Sequence, residues 1–410
     1  MKKTLSCLAL LVFLSGYAQA ENSSVSLDTI TVTANKMEED MQKIPQSISV
    51  IESSDIEEMG LRSSADVLDL IPGMLTTPDH GTGVTFRGLK RSMFTQNNPV
   101  VIYVDGVPMT NSFGFDFSLV NVERIEVLRG PQGTLYGKDA LGAVVNVITK
   151  APDNSWQGRI GTEYSSFNTW YVQAGINGSI IADKLFLGLS GQYGTTDGWI
   201  KNEYPGMNED IGRRDKYDVN GSLLFTPTDR LRVRLGIDSW KQAAHAPNDE
   251  KGLPYDFTGT GSGYTSLNDF NRDMAEHLRQ DVEPQETTKV NAQNLLISYD
   301  FDRFKVQSVT THRLRDLTPN FNDGDYSAGG PYDGLIMFHE TKLTAWTEEL
   351  RLTSTNTSGF RWVGGLYLDK EEEDDKGGFQ MPGAMMGSPV DLEMQSVSDI
   401  DTATQAVFGQ

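Results

Sequence analysis

The chain has 410 residues, 40 of them glycine, and a formal net charge of −21. Such acidity argues against nucleic acid as a partner and against simple adsorption to anionic lipid. Glycine near one residue in ten, against a usual ~7%, suits a turn-rich β architecture.

The first twenty residues read as a cleaved export signal. Lys2 and Lys3 precede an apolar run, Leu8 to Leu14, and Ala18-Gln19-Ala20 is a small-residue cleavage site, so the mature chain is expected to start with Ala20 removed and Glu21 first. The only cysteine, Cys7, leaves with that segment, so disulfides are excluded. Without Lys2 and Lys3 the formal charge becomes −23. No later window is apolar for eighteen residues, so no transmembrane helix is expected.

Residues 21–40 read as a polar arm with one extended patch, Asp28, Thr29, Ile30, Thr31, Val32, Thr33 and Ala34. A lone strand near a terminus fits docking onto another protein's sheet edge. It equally fits a frayed first strand of the next domain.

Residues 41–152 read as one α+β unit. Ser47–Ile51 is a short strand, Ser63 caps a helix ending before Pro72-Gly73, and Val84–Arg87 is a strand closed by Gly88. Val100–Val104 turns through Asp105-Gly106 into Val107–Met109, and Val122–Leu128 carries alternating charges. The stretch Leu128–Lys150 ends a Gly-rich run in Gly137-Lys138, the form of a phosphate loop. The spacing fails: Gln132 stands where the first glycine belongs, Asp139 replaces the hydroxyl residue, and a β-branched run follows. Gly130, Gly133, Gly137 and Gly142 are therefore expected at tight turns and close backbone approaches, with Val144–Thr149 leading out of the unit.

From residue 153 the pattern becomes dyad alternation. Val233, Leu235 and Ile237 oppose Arg232, Arg234 and Asp238; Leu185, Leu187 and Leu189 oppose Phe186, Gly188, Ser190 and Gln192; Val219, Leu223 and Phe225 oppose Asp218, Asn220 and Ser222. Similar segments lie near 157–167, 169–179, 290–301, 304–314, 345–354 and 360–368. Aromatics including Trp170, Tyr193, Trp199, Trp240 and Trp346 fall near segment ends. A soluble sandwich shares the alternation, but the export signal, the absent cysteines and the mix of short turns with long excursions (Lys241 to Lys289, Asp316 to Thr344) favour a transmembrane antiparallel β-barrel. The acidic run Asp369–Asp375 lacks the alternating ligand pattern of a calcium loop and reads as a solvated loop. The five histidines (80, 245, 277, 312 and 339) show no metal-ligand spacing.

In order, "DTITVTA" (28–34), "VLDLIPGM" (67–74), "VTFRGL" (84–89), "IYVDGVPM" (102–109) and "VERIEVLRGPQGTLYGKDALGAVVNVITKAPD" (122–153) resemble the TonB-dependent outer-membrane receptors, siderophore-receptor type, nearest the yersiniabactin/pesticin receptors. Ala143 departs from the family's usual second glycine. The resemblance implies an α+β plug (41–152) followed by a transmembrane barrel (153–410), 22-stranded in the family. Nine segments are visible here, with a tenth starting at Thr402, so a fragment or truncated frame is expected: half a barrel leaves two edges in lipid.

The resemblance further implies TonB-driven uptake of a scarce ligand, foremost a ferric siderophore, by an outer-membrane protein that is not an enzyme. Cobalamin, haem or glycan is the alternative ligand, and a passive porin the rival outside the family. Asp28 to Ala34 then match the TonB box. Arg87, Glu123, Arg124, Glu126 and Arg129 would hold the plug by ion pairs, and His80, Phe94 and Gln96 would stand on apical ligand loops. No cofactor is implied, because any iron arrives inside the ligand.

Overall fold

The computed structural model describes residues 31–410 apart from 34–35, 38, 79–81, 90–97, 110–118, 137–139, 209, 246–276, 279, 324–332 and 357–358. The proposed cleavage site at Ala20 and Glu21, the arm residues Asp28, Thr29, Ile30 and Ala34, Gly137, and His80, Phe94 and Gln96 lie outside the described residues.

The arm enters as β1 (Thr31–Val32), paired antiparallel with β2 (Glu39–Asp40). The plug follows with β3 (Ser47–Glu52), α1 (Ser53–Glu58) and α2 (Ser64–Asp69). Ser63 caps α2: its Oγ accepts from the Asp66 amide at 3.1 Å, and the Asp66 carboxylate accepts in return from the Ser63 amide at 3.0 Å. A hairpin, β4 (Met74–Pro78) and β5 (Thr82–Phe86), lies beside it. Arg87, expected within that strand, sits instead in the turn after it at φ +50°, followed by Gly88 at +81°.

Next come β6 (Val100–Val104), β7 (Val107–Met109), β8 (Val122–Arg129), α3 (Gly133–Tyr136) and β9 (Ala143–Thr149). The plug sheet has the order β3-β8-β9-β6-β7. Asp105 and Gly106 turn β6 into β7 at φ +49° and +80°, the left-handed pair that a two-residue hairpin demands. Val67, Leu68, Ile125, Val127 and Val145 form the plug core, all fully buried. Burial of such side chains contributes about 1.5–3 kcal/mol each.

β9 leads the chain out towards the first wall strand, as expected, but does so as an inner strand of the plug sheet: flanked by β8 and β6, it is apolar because both faces are covered. Of the four loop glycines, Gly130 adopts φ +110° and Gly142 lies where a Cβ would meet the Pro99 carbonyl at 3.1 Å. Gly133 has neither constraint and opens α3. Gly130→Ala should therefore destabilise the plug by about 1–2 kcal/mol through backbone strain, whereas Gly133→Ala should be neutral or stabilise it by up to ~1 kcal/mol. Chemical unfolding of the two variants in one buffer separates these outcomes.

Beyond residue 156 one ten-stranded antiparallel sheet forms the wall. Its strands are β10 (Gln157–Ser165), β11 (Thr169–Ile181), β12 (Leu185–Thr196), β14 (Arg213–Phe225), β15 (Leu231–His245), β17 (Gln285–Asp300), β18 (Phe304–Asp323), β19 (Ile336–Ser354), β20 (Val363–Met381) and β21 (Leu392–Gly409). Two short strands, β13 (Lys201–Asn202) and β16 (His277–Leu278), pair with each other between the longer connections. The connections at 182–184, 226–230, 301–303 and 355–362 share one end, and most of those at the other end are longer.

The alternation holds in space. Leu189, Val219, Leu235, Ile237 and Ile297 face outward and exposed, while Asp218, Asn220, Arg234 and Asp238 face inward. Trp170, Tyr193, Trp199 and Tyr217 are exposed towards the long-connection end, and Trp156, Phe225, Phe301 and Phe360 towards the other. From Tyr217 to Phe225 the strand rises about 27 Å at ~3.4 Å per residue, the span of a hydrocarbon layer crossed by a tilted strand.

Three expectations are corrected. Trp240 is no belt residue but points inward, 3% exposed, because its even position shares the face of Arg234 and Asp238. The acidic run Asp369–Asp375 is no loop; it lies within β20, paired with β19 and β21, where cations meet neighbouring carboxylates (Lys370 with Glu372, Arg315 with Glu373). The tenth strand begins at Leu392, not Thr402. All three arise where strands run past the apolar band: outward side chains there no longer need to be apolar, so the sequence loses its alternation while the backbone pairing continues.

Candidate functional site: the seat of the arm

The alternation of Thr31-Val32-Thr33 gives the arm one apolar side chain, and that side chain is fully buried. Val32 packs with Leu128, Leu135, Tyr136, Ala140 and Val144 of the plug and with Val363 of the wall. The stretch Leu128–Lys150, with its phosphate-loop look, is thus the floor on which the arm rests.

Polar groups fix the register. The Thr33 amide and hydroxyl both donate to Glu126 Oε2, each at 2.8 Å. The other Glu126 oxygen accepts from Arg124 Nε at 2.9 Å, and the Arg124 guanidinium reaches Glu123 at 2.5 Å. Glu126 is fully buried, so a bare carboxylate there would be costly; two arm donors and a guanidinium satisfy it. The Tyr136 hydroxyl donates to the Thr33 carbonyl at 3.3 Å and accepts from Asn146 at 3.2 Å. Burial pushes the Tyr136 phenol up to about 12 and raises that of Tyr103 well above its ordinary value, so both remain protonated.

The arm then turns at Lys36, whose amide donates to the Thr33 carbonyl at 3.0 Å. The Lys36 ammonium lies 2.7 Å from Glu349 of β19. Glu39 meets Arg361, in the β19–β20 connection, at 2.7 Å. The arm therefore docks at the short-connection end.

Of the residues expected to hold the plug, Glu123, Arg124 and Glu126 form one cluster under the arm. Arg129 ends β8, opposite Ser47 and Ala143. The Arg87 guanidinium lies over the Phe86 ring at 5.0 Å. Neither arginine makes an ion pair among the described residues. The pairs from plug to wall come from residues that sequence reasoning missed: Asp105 with Arg234, Arg62 with Glu163, and Glu57 with Arg159 at 2.5 Å. Asp105 also accepts from the Thr149 amide at 2.8 Å and hydroxyl at 2.7 Å, which joins the β6–β7 turn to β9. The Asp105-Gly106 turn is a local signal; its partner, more than a hundred residues away, has none. Between this turn and the wall lies a cavity lined by Val104, Met109, Asp218, Trp240, Asn294 and Arg313. No cluster of metal-ligating side chains occurs among the described residues.

Residues 40–144 match the family model described as TonB-dependent Receptor Plug Domain. The pesticin receptor of Yersinia pestis is 24% identical over 377 residues, which cover 90% of this chain and 52% of that protein. The vitamin B12 transporter BtuB of Vibrio vulnificus (strain CMCP6) is 32% identical over 225 residues, 51% of this chain and 35% of the transporter. Among solved structures, the ferric yersiniabactin uptake receptor FyuA from Yersinia pestis superposes with a TM-score of 0.71 at 20% identity, covering 89% of this chain and 61% of that one. The ferripyoverdine receptor of Pseudomonas aeruginosa, bound to ferripyoverdine, gives 0.68 at 16% identity, covering 92% and 51%. The chain thus spans about half the length of the pesticin receptor it resembles.

Proposed function

We propose that this chain, a TonB-dependent receptor by its plug domain and its fold, serves energised import of a scarce ligand across a bacterial outer membrane, with a ferric siderophore as the ligand class. The observation that carries the reading is the arm itself. A two-residue strand with one buried valine is seated on the plug, at the end of the wall where the connections are short.

The chemistry follows from that placement. The Gly-rich stretch does not keep the spacing of a phosphate loop, and the energy for uphill movement is assigned to a source outside the chain. An extended segment whose backbone adds to a partner's sheet can transmit a pull, because several hydrogen bonds load together. We assign Asp28 to Ala34 as that segment and TonB as the partner. Force on Thr33 reaches Glu126 and, through β8, the central plug strands.

The siderophore class is favoured over cobalamin, haem or glycan by the pesticin-receptor likeness along most of the chain, where the cobalamin transporter matches about half. Growth on a panel of ferric chelates under iron limitation, with and without the gene, tests this reading. Uptake of at least one chelate should require both the gene and a functioning TonB. Uptake that survives loss of TonB would favour a passive pore, and growth dependent on cobalamin or haem instead would move the ligand class.

A further inference from the structure

Lys36 turns the arm at φ +57°, a conformation uncommon for a residue with a side chain. Its side chain enters a box built by four elements. The ammonium lies 5.5 Å from the Tyr103 ring centre (β6), 5.2 Å from Tyr136 (α3) and 4.6 Å from Phe408 (β21), with Glu349 of β19 at 2.7 Å. Both partners of the ion pair are only 4% exposed. Arg351, two residues along β19, reaches the same Glu349 at 3.4 Å. Two buried cations thus share one carboxylate. Among the described residues the other titratable groups at the box are the hydroxyls of Tyr103, Tyr136 and Tyr367, with the Glu126 carboxylate acting on Tyr136 from the plug side.

A buried pair that is fully matched holds tightly once formed; a site with one cation in excess does not. Of the two cations, Lys36 stands on the arm and Arg351 within β19 of the wall. When the arm leaves, Glu349 keeps Arg351 and Glu126 keeps Arg124, so each carboxylate retains a cation although Glu126 loses its two donors from Thr33. Aromatic faces soften the burial of the ammonium without neutralising it.

We propose that Lys36 is a positioning residue that keeps the docked arm releasable: Glu349 fixes its register, while the excess buried positive charge holds the seat short of its tightest binding. The proposal rests on the reading of residues 28–34 as the partner segment, but the seat can be measured without transport.

Burial lowers the Lys36 ammonium to about 8 from 10.5, with Glu349 opposing that shift. The docked arm therefore binds fewer protons than the free arm between those values. By linkage, docking strengthens as pH rises from about 8 towards 10.5 and weakens as pH falls through 8.

The experiment uses the purified chain in detergent with Val32→Cys as a buried reporter; Cys7 is the only native cysteine. Maleimide labelling reads arm release. Amide exchange over residues 31–36, in chains without the reporter, guards against an effect of the cysteine itself. Glu349→Gln, which leaves Lys36 and Arg351 without their shared carboxylate, should speed labelling at least tenfold. Lys36→Met, which keeps the length and apolar stem, should slow it at least threefold. Raising the pH from 7.5 to 9.5 should slow release in the parent chain relative to Lys36→Met carrying the same cysteine. A Lys36→Met arm that releases faster than the parent would make Lys36 a plain latch and overturn the proposal. Equal rates in all three chains, or no pH difference from Lys36→Met, would overturn it as well. If these docking shifts appear while uptake never depends on TonB, the partner reading fails and the role of Lys36 in the seat stands.

Discussion

Val32→Pro should abolish energised uptake while leaving ligand adsorption at the cell surface intact. Val32 is the one fully buried side chain of the described arm, and it lies in a two-residue strand opposite Glu39. Proline removes the amide donor and fixes φ near −65°, so the segment loses pairing both with β2 and with any partner edge that replaces it. The substitution also empties part of the contact with Leu135, Tyr136 and Val144. Weakening of the partner strand by ~1.4 kcal/mol already means a tenfold loss of occupancy. Cell-associated radiolabelled ferric chelate, counted cold and then after warming, separates adsorption from import. Wild-type import by this variant would remove residues 28–34 from the mechanism.

Asp105→Ala should be the most destabilising single change at the plug–wall boundary, by about 3 kcal/mol. One carboxylate there serves the Thr149 amide, the Thr149 hydroxyl and the Arg234 guanidinium. A buried donor left without an acceptor costs about 1–3 kcal/mol; the two Thr149 donors are half-buried, so each costs towards the lower end of that range. Asp105 also holds φ +49°, which Asp and Asn tolerate better than Ala. Asp105→Asn should therefore lose only about 1 kcal/mol, since it keeps the turn and an acceptor oxygen but not the charge facing Arg234. Hydrogen exchange across β6 and β9, followed through a urea titration, measures both. Equal losses for the two variants would mean that the ion pair, rather than the turn and its hydrogen bonds, holds this edge.

Much of the molecule is local in origin, and so could be read from the chain. Ser63 and Asp66 cap their helix through contacts three residues apart, and Asp105-Gly106 specifies a hairpin by its backbone preference alone. The wall strands announce their faces wherever lipid demands apolar residues, as at Val233, Leu235 and Ile237. They fall silent where a strand continues into water, so the alternation covers only part of β17 to β21 and gives no strand signal over the acidic part of β20. The arm patch was visible as a strand, but two readings of it stayed open. Among the described residues Thr31–Val32 pairs within the chain, as a first strand would, with Val32 fully buried; docking of residues 28–34 on a partner stays a proposal.

What the sequence by itself determined is the set of described elements: an extended arm, an α+β plug and a wall of alternating strands. Periodicity, capping and turn preference act over a few residues, and those are the distances a sequence exposes. Only the tertiary structure decided which charges meet. Lys36 and Glu349 are 313 residues apart, and Thr33 and Glu126 are 93 apart. No local preference encodes such pairs; they exist because the plug sheet and the wall bring distant backbones together and shut water out between them.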